Sequence, residues 1–336
     1  MPQKIALIQP LVEAGTSLGI KKSPESIQFL ASQLKREAHD VRMYHSAPSD
    51  ELYKEIAEFD PDIVGVSTMT LNFPAGVEIA KAIKSIRESI FIILGGWHAS
   101  GCVEAYRKGQ EKESLREILN DKSPFDCAVV GEGDLVMPEI ALRIESGQKI
   151  DDIPGVCTLT PDGIQINAAN RIRDLDVLAD PSWDGLDPND YIDQRTLETD
   201  LSVHFNRACR FNCGFCSTST VYGRGVSNFS PSRAVNYISQ LINANKPSVI
   251  TFTDEDFFAK MNWVMELVAL MEEMGFGEKT HVDFDTFASV NDLLKIDESL
   301  LRRMKKVGFN SFTIGIESFN KETLIKYNKL PMIRAM

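Results

Sequence analysis

His204–Thr220 reads HFNRACRFNCGFCSTST and holds three of the chain's six cysteines, Cys209, Cys213 and Cys216, at the spacing C-x3-C-x2-C. Three thiols this close act together only if the loop folds around one centre, which leaves zinc or an iron–sulfur cluster. Structural zinc usually closes its tetrahedron with two separated ligand pairs, and here a single triplet has no second pair. His204 is a candidate fourth ligand, but it falls inside the apolar run LSVHFN, which reads as a strand. A cubane cluster is normally held by four cysteines. Three leave one iron open, and an open iron is a place for a substrate or cofactor.

The remaining cysteines, Cys102, Cys127 and Cys157, are scattered, a poor disulfide framework for 336 residues. A reducing compartment fits better, and there a tight cysteine group more often holds a metal or does redox chemistry than staples the fold.

From the cysteine loop towards the C-terminus, strand and helix patterns alternate. The strands LSVHFN, SVITFTDE, HVDFDTF and SFTIGIES are separated by the helical patterns SRAVNYISQLINA, NWVMELVALMEEMG and SLLRRMKKVG, and KETLIKYNK follows. That makes four βα units up to Met336. Towards the N-terminus the same rhythm gives five strands, KIALIQ, VRMY, DIVGVS, FIILGG and CAVVGEG. Nearly continuous apolar strands alternating with helices imply a parallel sheet covered on both faces. SPESIQFLASQLKREA predicts a helix with Ser23 as N-cap and Pro24 at its first position.

In such a sheet, ligands bind beyond the carboxyl ends of the strands. The residues there are Ser67, Thr68, Met69 and Thr70, then Gly95, Gly96, Trp97 and His98, then Gly131, Glu132 and Gly133. Each has a plainer role open to it: serine and threonine cap helices, and glycines make tight turns. GVCTLTPDGIQINA predicts a hairpin around Pro161–Gly163, and the proline-rich LADPSWDGLDPNDYI reads as a wrapping linker. The expected boundaries are a first domain over 1–147, hairpin and linker over 148–198, and a second domain over 199–336.

CRFNCGFC, with an aromatic residue before its last cysteine, resembles the signature of the radical S-adenosylmethionine (radical SAM) superfamily. The resemblance implies that Cys209, Cys213 and Cys216 hold three irons of a [4Fe-4S] cluster, with SAM on the fourth and Phe215 against its adenine. It also assigns SAM contacts to Asp254, Glu255 and Asp256 of TFTDEDFF and to Glu317 and Ser318 of IGIES. The three acids could equally favour the start of the following helix.

DPDIVGVSTMT, ILGGWHAS and CAVVGEGD resemble, in order and spacing, the loops of the cobalamin-binding domain that precedes many radical SAM enzymes. The implied fold is α/β: an N-terminal doubly wound, flavodoxin-like cobalamin-binding domain, then a partial radical SAM (β/α) barrel. Ser67, Met69, Thr70, Gly95, Gly96, Gly131, Glu132 and Gly133 would line the cobalamin. Two departures stand out. The D-x-H-x-x-G signature, which gives cobalt a histidine elsewhere, is absent, although His45 and His98 are present. Only four of about six barrel units are visible, so a fragment, a truncated product or one part of a split protein is expected.

The implied activity is radical chemistry on an unactivated carbon, with methyl transfer ahead of cyclisation or rearrangement; a catalytically incomplete binding module is the other expectation. A small-molecule or peptide substrate and an electron donor such as ferredoxin or flavodoxin would be the partners. A net charge of −12 argues against a nucleic-acid surface. The apolar runs are far shorter than the roughly 20 residues that cross a bilayer, and MPQKIALIQP does not read as a secretory signal. The expected location is the cytoplasm.

Overall fold

The computed structural model describes residues 2–11, 22–110, 112–193 and 197–329, which group into two compact units. The first takes in 24–171 and 178–187, together with the N-terminal strand.

Its elements are β1 (Lys4–Ile8), α1 (Glu25–Arg36), β2 (Asp40–Tyr44), α2 (Asp50–Phe59), β3 (Ile63–Ser67), α3 (Phe73–Ile86) and β4 (Phe91–Gly95). There follow α4 (Trp97–Arg107), α5 (Lys112–Ile118), β5 (Cys127–Val129), α6 (Val136–Glu145), β6 (Val156–Thr160) and β7 (Gly163–Ile166). The sheet order is β2-β1-β3-β4-β5-β6-β7. Strands β1 to β5 are parallel, whereas β6 and β7 are antiparallel additions. The hairpin expected in the connecting segment is therefore part of this sheet.

Successive residues of a strand face opposite ways, and β1 shows why its run is apolar from Ile5 to Ile8. Ala6 and Ile8 pack with Leu52, Ile56, Ile79, Ile83 and Val103 from one layer of helices. Ile5 and Leu7 pack with Ile27, Leu34, Met137 and Ile140 from the other. The order 2-1-3-4-5 is the doubly wound, flavodoxin-like one, and its crossover reverses between β1 and β3.

The second unit takes in 172–177 and the chain from Pro188 onward, with Lys22 and Ser23. It contains β8 (Ile192–Asp193), β9 (Glu198–Val203), β10 (Asn206–Arg207), α7 (Thr218–Tyr222), β11 (Ser227–Asn228), α8 (Pro231–Asn245), β12 (Val249–Phe252) and α9 (Met261–Met274). It continues through β13 (Asp283–Ala288), α10 (Val290–Leu293), α11 (Glu298–Lys306), β14 (Phe309–Ile314) and α12 (Lys321–Lys326). The sheet order is β14-β13-β12-β9-β8, with β9, β12, β13 and β14 mutually parallel. Four parallel strands in sequence order, each followed by helix, form part of a barrel wall.

This sheet differs from the first in having one polar face. Register aligns Ser202, Thr251, Asp285 and Ser311 on one side and Leu201, Ile250 and Phe284 on the other. The apolar side carries an aromatic core in which Phe252 meets Phe257, Phe284 and Phe309 at ring distances of 5.1, 6.0 and 5.5 Å. On the polar side Lys22 pairs with Asp200 and donates to Thr251 at 3.2 Å.

Ser23 does not cap α1. Pro24 occupies the N-cap position and makes no side-chain cap, while Ser23 Oγ accepts from Ser202 N at 3.0 Å. A proline there already presets the backbone and has no N–H of its own to satisfy, so the hydroxyl serves a buried strand amide instead.

Candidate functional site

The cysteine loop leaves the carboxyl end of β9 and is bracketed by the two-residue ribbon β10–β11. Asp254, just past β12, holds its root. One carboxylate oxygen accepts from Phe205 N at 2.7 Å and Asn206 N at 2.6 Å, and the other from Asn206 Nδ2 at 3.3 Å. Burial pushes the Asp254 carboxyl up to about 7, against the downward pull of His204 and the two amides. The neighbouring Glu255 lies 3.0 Å from His204 Nε2, which is also 3.0 Å from Asn206 O. His204 is thus turned to Glu255 and the backbone.

Asp256 meets the loop itself. It accepts from Arg210 N at 3.2 Å and pairs with Arg210 Nε at 3.0 Å, and Cys209 Sγ lies 3.6 Å from it. Arg210 also pairs with Asp292, whose carboxylate accepts from Ser289 Oγ at 2.5 Å, and the arginine's guanidinium lies 4.9 Å from the Phe211 ring centre. Burial raises the Asp256 carboxyl and the arginine opposes it. All three acids are at the barrel mouth, as expected for functional groups there, and each already has a partner.

Cys209 is half-buried, Cys213 buried and Cys216 exposed. Burial, then the Asp256 charge, push the Cys209 thiol up to about 12. Burial also raises Cys213, while the Lys329 charge pulls it down. Cys216 Sγ is 3.2 Å from Thr218 Oγ1. Among the described residues no three His, Cys, Asp or Glu side chains are drawn together around a metal position. Cys209 Sγ and Cys216 Sγ meet different partners, Asp256 and Thr218. The donor set fits an iron–sulfur cluster: three thiols on one loop, with His204 turned instead to Glu255 and the backbone.

Glu317 and Ser318 lie beyond β14 rather than in it. Glu317 has φ 61°, its Oε1 is 3.2 Å from Lys329 Nζ, and Ser318 Oγ accepts from Asn320 N at 3.0 Å. Phe215 is 51% exposed and meets Tyr327 edge-on at 5.7 Å. A half-exposed ring could stack on a base; a core aromatic could not.

In the first unit, the loops past β1, β3, β4 and β5 are tied to one another. Ser67 Oγ is 3.1 Å from Ser26 Oγ, which donates to Gln9. Asn72 accepts from Met69 N and donates to Pro10 O, both at 2.7 Å. Ser100 Oγ donates to Gly96 O and accepts from Gly131 N, both at 3.1 Å. Gly96 has φ +90°, and a Cβ there would lie 2.5 Å from Thr68 O, so the chain's own backbone requires this glycine. At Gly95 the nearest atom would be 4.0 Å away, and at Gly133 3.4 Å. Gly131 has φ 78°. Glu132 is buried with Arg171 Nε 3.9 Å away.

Thr70 Oγ1 is 3.2 Å from His98 Nδ1, and that ring stacks on Phe73 at 4.0 Å with Cys102 Sγ 3.5 Å from Nε2. His98 is a packed structural histidine whose pKa burial lowers. His45 is half-buried just past β2. Two observations suit a large ligand at this edge. Thr68 Oγ1 is buried with no hydrogen-bond partner among the described residues, and Met69 and Leu71 are 58% and 67% exposed.

Sequence reasoning missed Asn72, Ser100, Arg210 and Lys329. Arg210 carried a signal, being a cation between two cysteines of the cluster motif. The other three carry no pattern until the fold brings their partners near.

Two family profiles match: the B12 binding domain over residues 17–141 and the radical SAM superfamily over residues 203–334. An uncharacterized methyltransferase of Pyrococcus horikoshii is 27% identical over 96% of this chain and 67% of its own length. The cobalamin-dependent S-adenosylmethionine radical enzyme OxsB, solved with aqua-cobalamin and S-adenosylmethionine, superposes with TM-score 0.78 at 18% identity, over 98% of this chain and 46% of its own. The radical S-adenosylmethionine methyltransferase TsrM of Kitasatospora setae, with cobalamin and a [4Fe-4S] cluster, gives 0.70 at 15% identity, over 100% and 65%. At those identities the likeness is one of fold. The chain spans between roughly half and two thirds of the length of these relatives. No helix among the described residues is long and apolar enough to cross a membrane.

Proposed function

We propose a function on the premise that this chain belongs to the cobalamin-binding radical SAM family, whose two domain profiles it matches in order. The function is radical transfer of a methyl group to an unactivated carbon of a small-molecule or peptide substrate. A [4Fe-4S] cluster would supply the electron that cleaves SAM, and cobalamin would carry the methyl group.

The observation that carries this is the cysteine loop: three thiols on one loop at the mouth of a partial barrel. Cys209, Cys213 and Cys216 would hold the cluster. Asp254 fixes the loop's root through two amides, and Arg210 with Asp256 fixes its middle. Glu255, polarised by His204, is the acid best placed to turn to the SAM ammonium, because its partner is not a permanent cation. The exposed Phe215 offers a face to the adenine. In the first unit, Thr68 offers a buried hydroxyl, and Met69 and Leu71 an apolar lip suited to a corrin. Ser67, Thr70, Gly95, Gly131, Glu132 and Gly133 complete that edge, while Gly96 serves it through the turn. Methyl transfer is favoured by the names of two relatives, the Pyrococcus protein and TsrM.

The test is product analysis after anaerobic incubation of the reconstituted, corrinoid-loaded chain with SAM and dithionite. 5′-Deoxyadenosine together with S-adenosylhomocysteine is expected, and the former should vanish in Cys213→Ala while circular dichroism is unchanged. Deoxyadenosine without S-adenosylhomocysteine would replace methyl transfer by cyclisation or rearrangement. Deoxyadenosine formation that survives Cys213→Ala would sink the mechanism.

A further inference from the structure

Lys329 is the feature of the second unit that the function above leaves unused. Its side chain is 6% exposed, and it stands just past α12. A buried ammonium is costly unless something negative compensates it. Its carboxylate partner among the described residues is Glu317, 3.2 Å away and itself 40% exposed.

The three residues Tyr327–Lys329 form a clasp on the cysteine loop. Tyr327 O accepts from Gly214 N at 2.7 Å. Asn328, at φ 52°, donates from Nδ2 to Asn212 O at 2.7 Å. The Tyr327 ring meets Phe215 edge-on at 5.7 Å. Lys329 Nζ lies 5.6 Å from the centre of that Phe215 ring. Two backbone-directed hydrogen bonds and an aromatic contact on 212–215 thus deliver one buried cation to the loop that carries Cys213 and Cys216.

We propose that Lys329 is a positioning residue that sets the reduction potential of the cluster held by this loop, with Glu317 as the counter-charge that tempers it. The inference rests on the cluster assignment above. A cubane on three thiolates is anionic and gains one more negative charge on reduction. Cluster potentials follow net charge, hydrogen bonds to the sulfurs and solvent exposure. A nearby buried cation, poorly screened by water, therefore favours the reduced state and raises the midpoint. An unpaired Lys329 would raise it further, which gives Glu317 the opposite sign.

The experiment is a redox titration, followed by paramagnetic resonance, of the anaerobically reconstituted 336-residue chain without SAM. Lys329→Met should shift the midpoint negative, Glu317→Gln positive, and Lys329→Arg should stay near wild type, all at equal iron per chain. Midpoints of Lys329→Met and Glu317→Gln equal to wild type, or both displaced in the same direction, overturn the inference while leaving the cluster assignment standing. A wild-type chain that takes up no iron and sulfide sinks the cluster assignment and this inference with it. If Lys329→Met does not fold, the sign of the Glu317→Gln shift decides.

Discussion

Asp254→Ala should loosen the root of the cysteine loop without touching a cysteine. The carboxylate takes the amides of Phe205 and Asn206 at 2.7 and 2.6 Å in a fully buried setting. Truncation orphans both. A buried donor left unpaired costs about 1–3 kcal/mol, so the pair costs about 2–6 kcal/mol. At 1.4 kcal/mol per factor of ten, the opening constant of this segment should rise at least about 30-fold. Asp254→Asn should fall between, because an amide oxygen can still accept from both backbone groups while its NH2 opposes the Asn206 Nδ2 donor. Hydrogen exchange read by mass spectrometry on peptides covering 203–208 measures this directly, with peptides from β1 and β3 as internal standards. Unchanged exchange over 203–208 in Asp254→Ala would refute the role of this carboxylate in holding the loop's root.

Three further outcomes rest on contacts elsewhere in the two units. Gly96→Ala should lower the urea midpoint by an amount worth about 1–3 kcal/mol, through strain at φ +90° and the clash with Thr68, whereas Gly95→Ala should change it by less than about 1 kcal/mol. Arg210→Met should cost about 2–4 kcal/mol, below the fully buried case because the guanidinium is 35% exposed, and Arg210→Lys should not restore it; thermal melts compare the three. His98 is held below its ordinary pKa by burial, so the unfolded chain takes up its proton first. Its contribution is intact above about pH 6.5 and is lost as pH falls from there through the folded value, with a slope of at most about 1.4 kcal/mol per pH unit. Urea midpoints between about pH 7.5 and 5 should therefore fall less steeply in His98→Gln, and equal slopes would exclude this histidine.

The sequence carried the fold because strand burial writes itself into hydropathy. KIALI is apolar after Lys4 and has both faces covered, while TDLSV and VITF mix polar and apolar residues because one face of the second sheet is polar. The hairpin was visible, but nothing in GVCTLTPDGIQINA says which sheet edge it joins, since that depends on Ala128 meeting Cys157 in space. Ser23 misled because a serine before a proline looks the same whether its hydroxyl caps its own helix or a strand amide 179 residues away. At the site, residue types were legible and partners were not. The run Asp254–Asp256 is acidic on paper, yet its carboxylates engage different groups, two amides for the first, a histidine for the second and an arginine for the third. Gly96 reads as a ligand-approach glycine until Thr68 is seen pressing on it. Lys329 gave no signal, because a lysine in a polar stretch looks solvated until the fold buries it.

On this account the C-x3-C-x2-C loop would hold a cubane with one iron free for SAM. Paramagnetic resonance of the dithionite-reduced, anaerobically reconstituted chain, recorded with and without SAM, tests it most directly. The expected result is a reduced-cubane signal in the wild type that shifts when SAM is added and is absent in Cys213→Ala. A silent spectrum with one zinc per chain, or a cluster signal that SAM leaves unmoved, would contradict it.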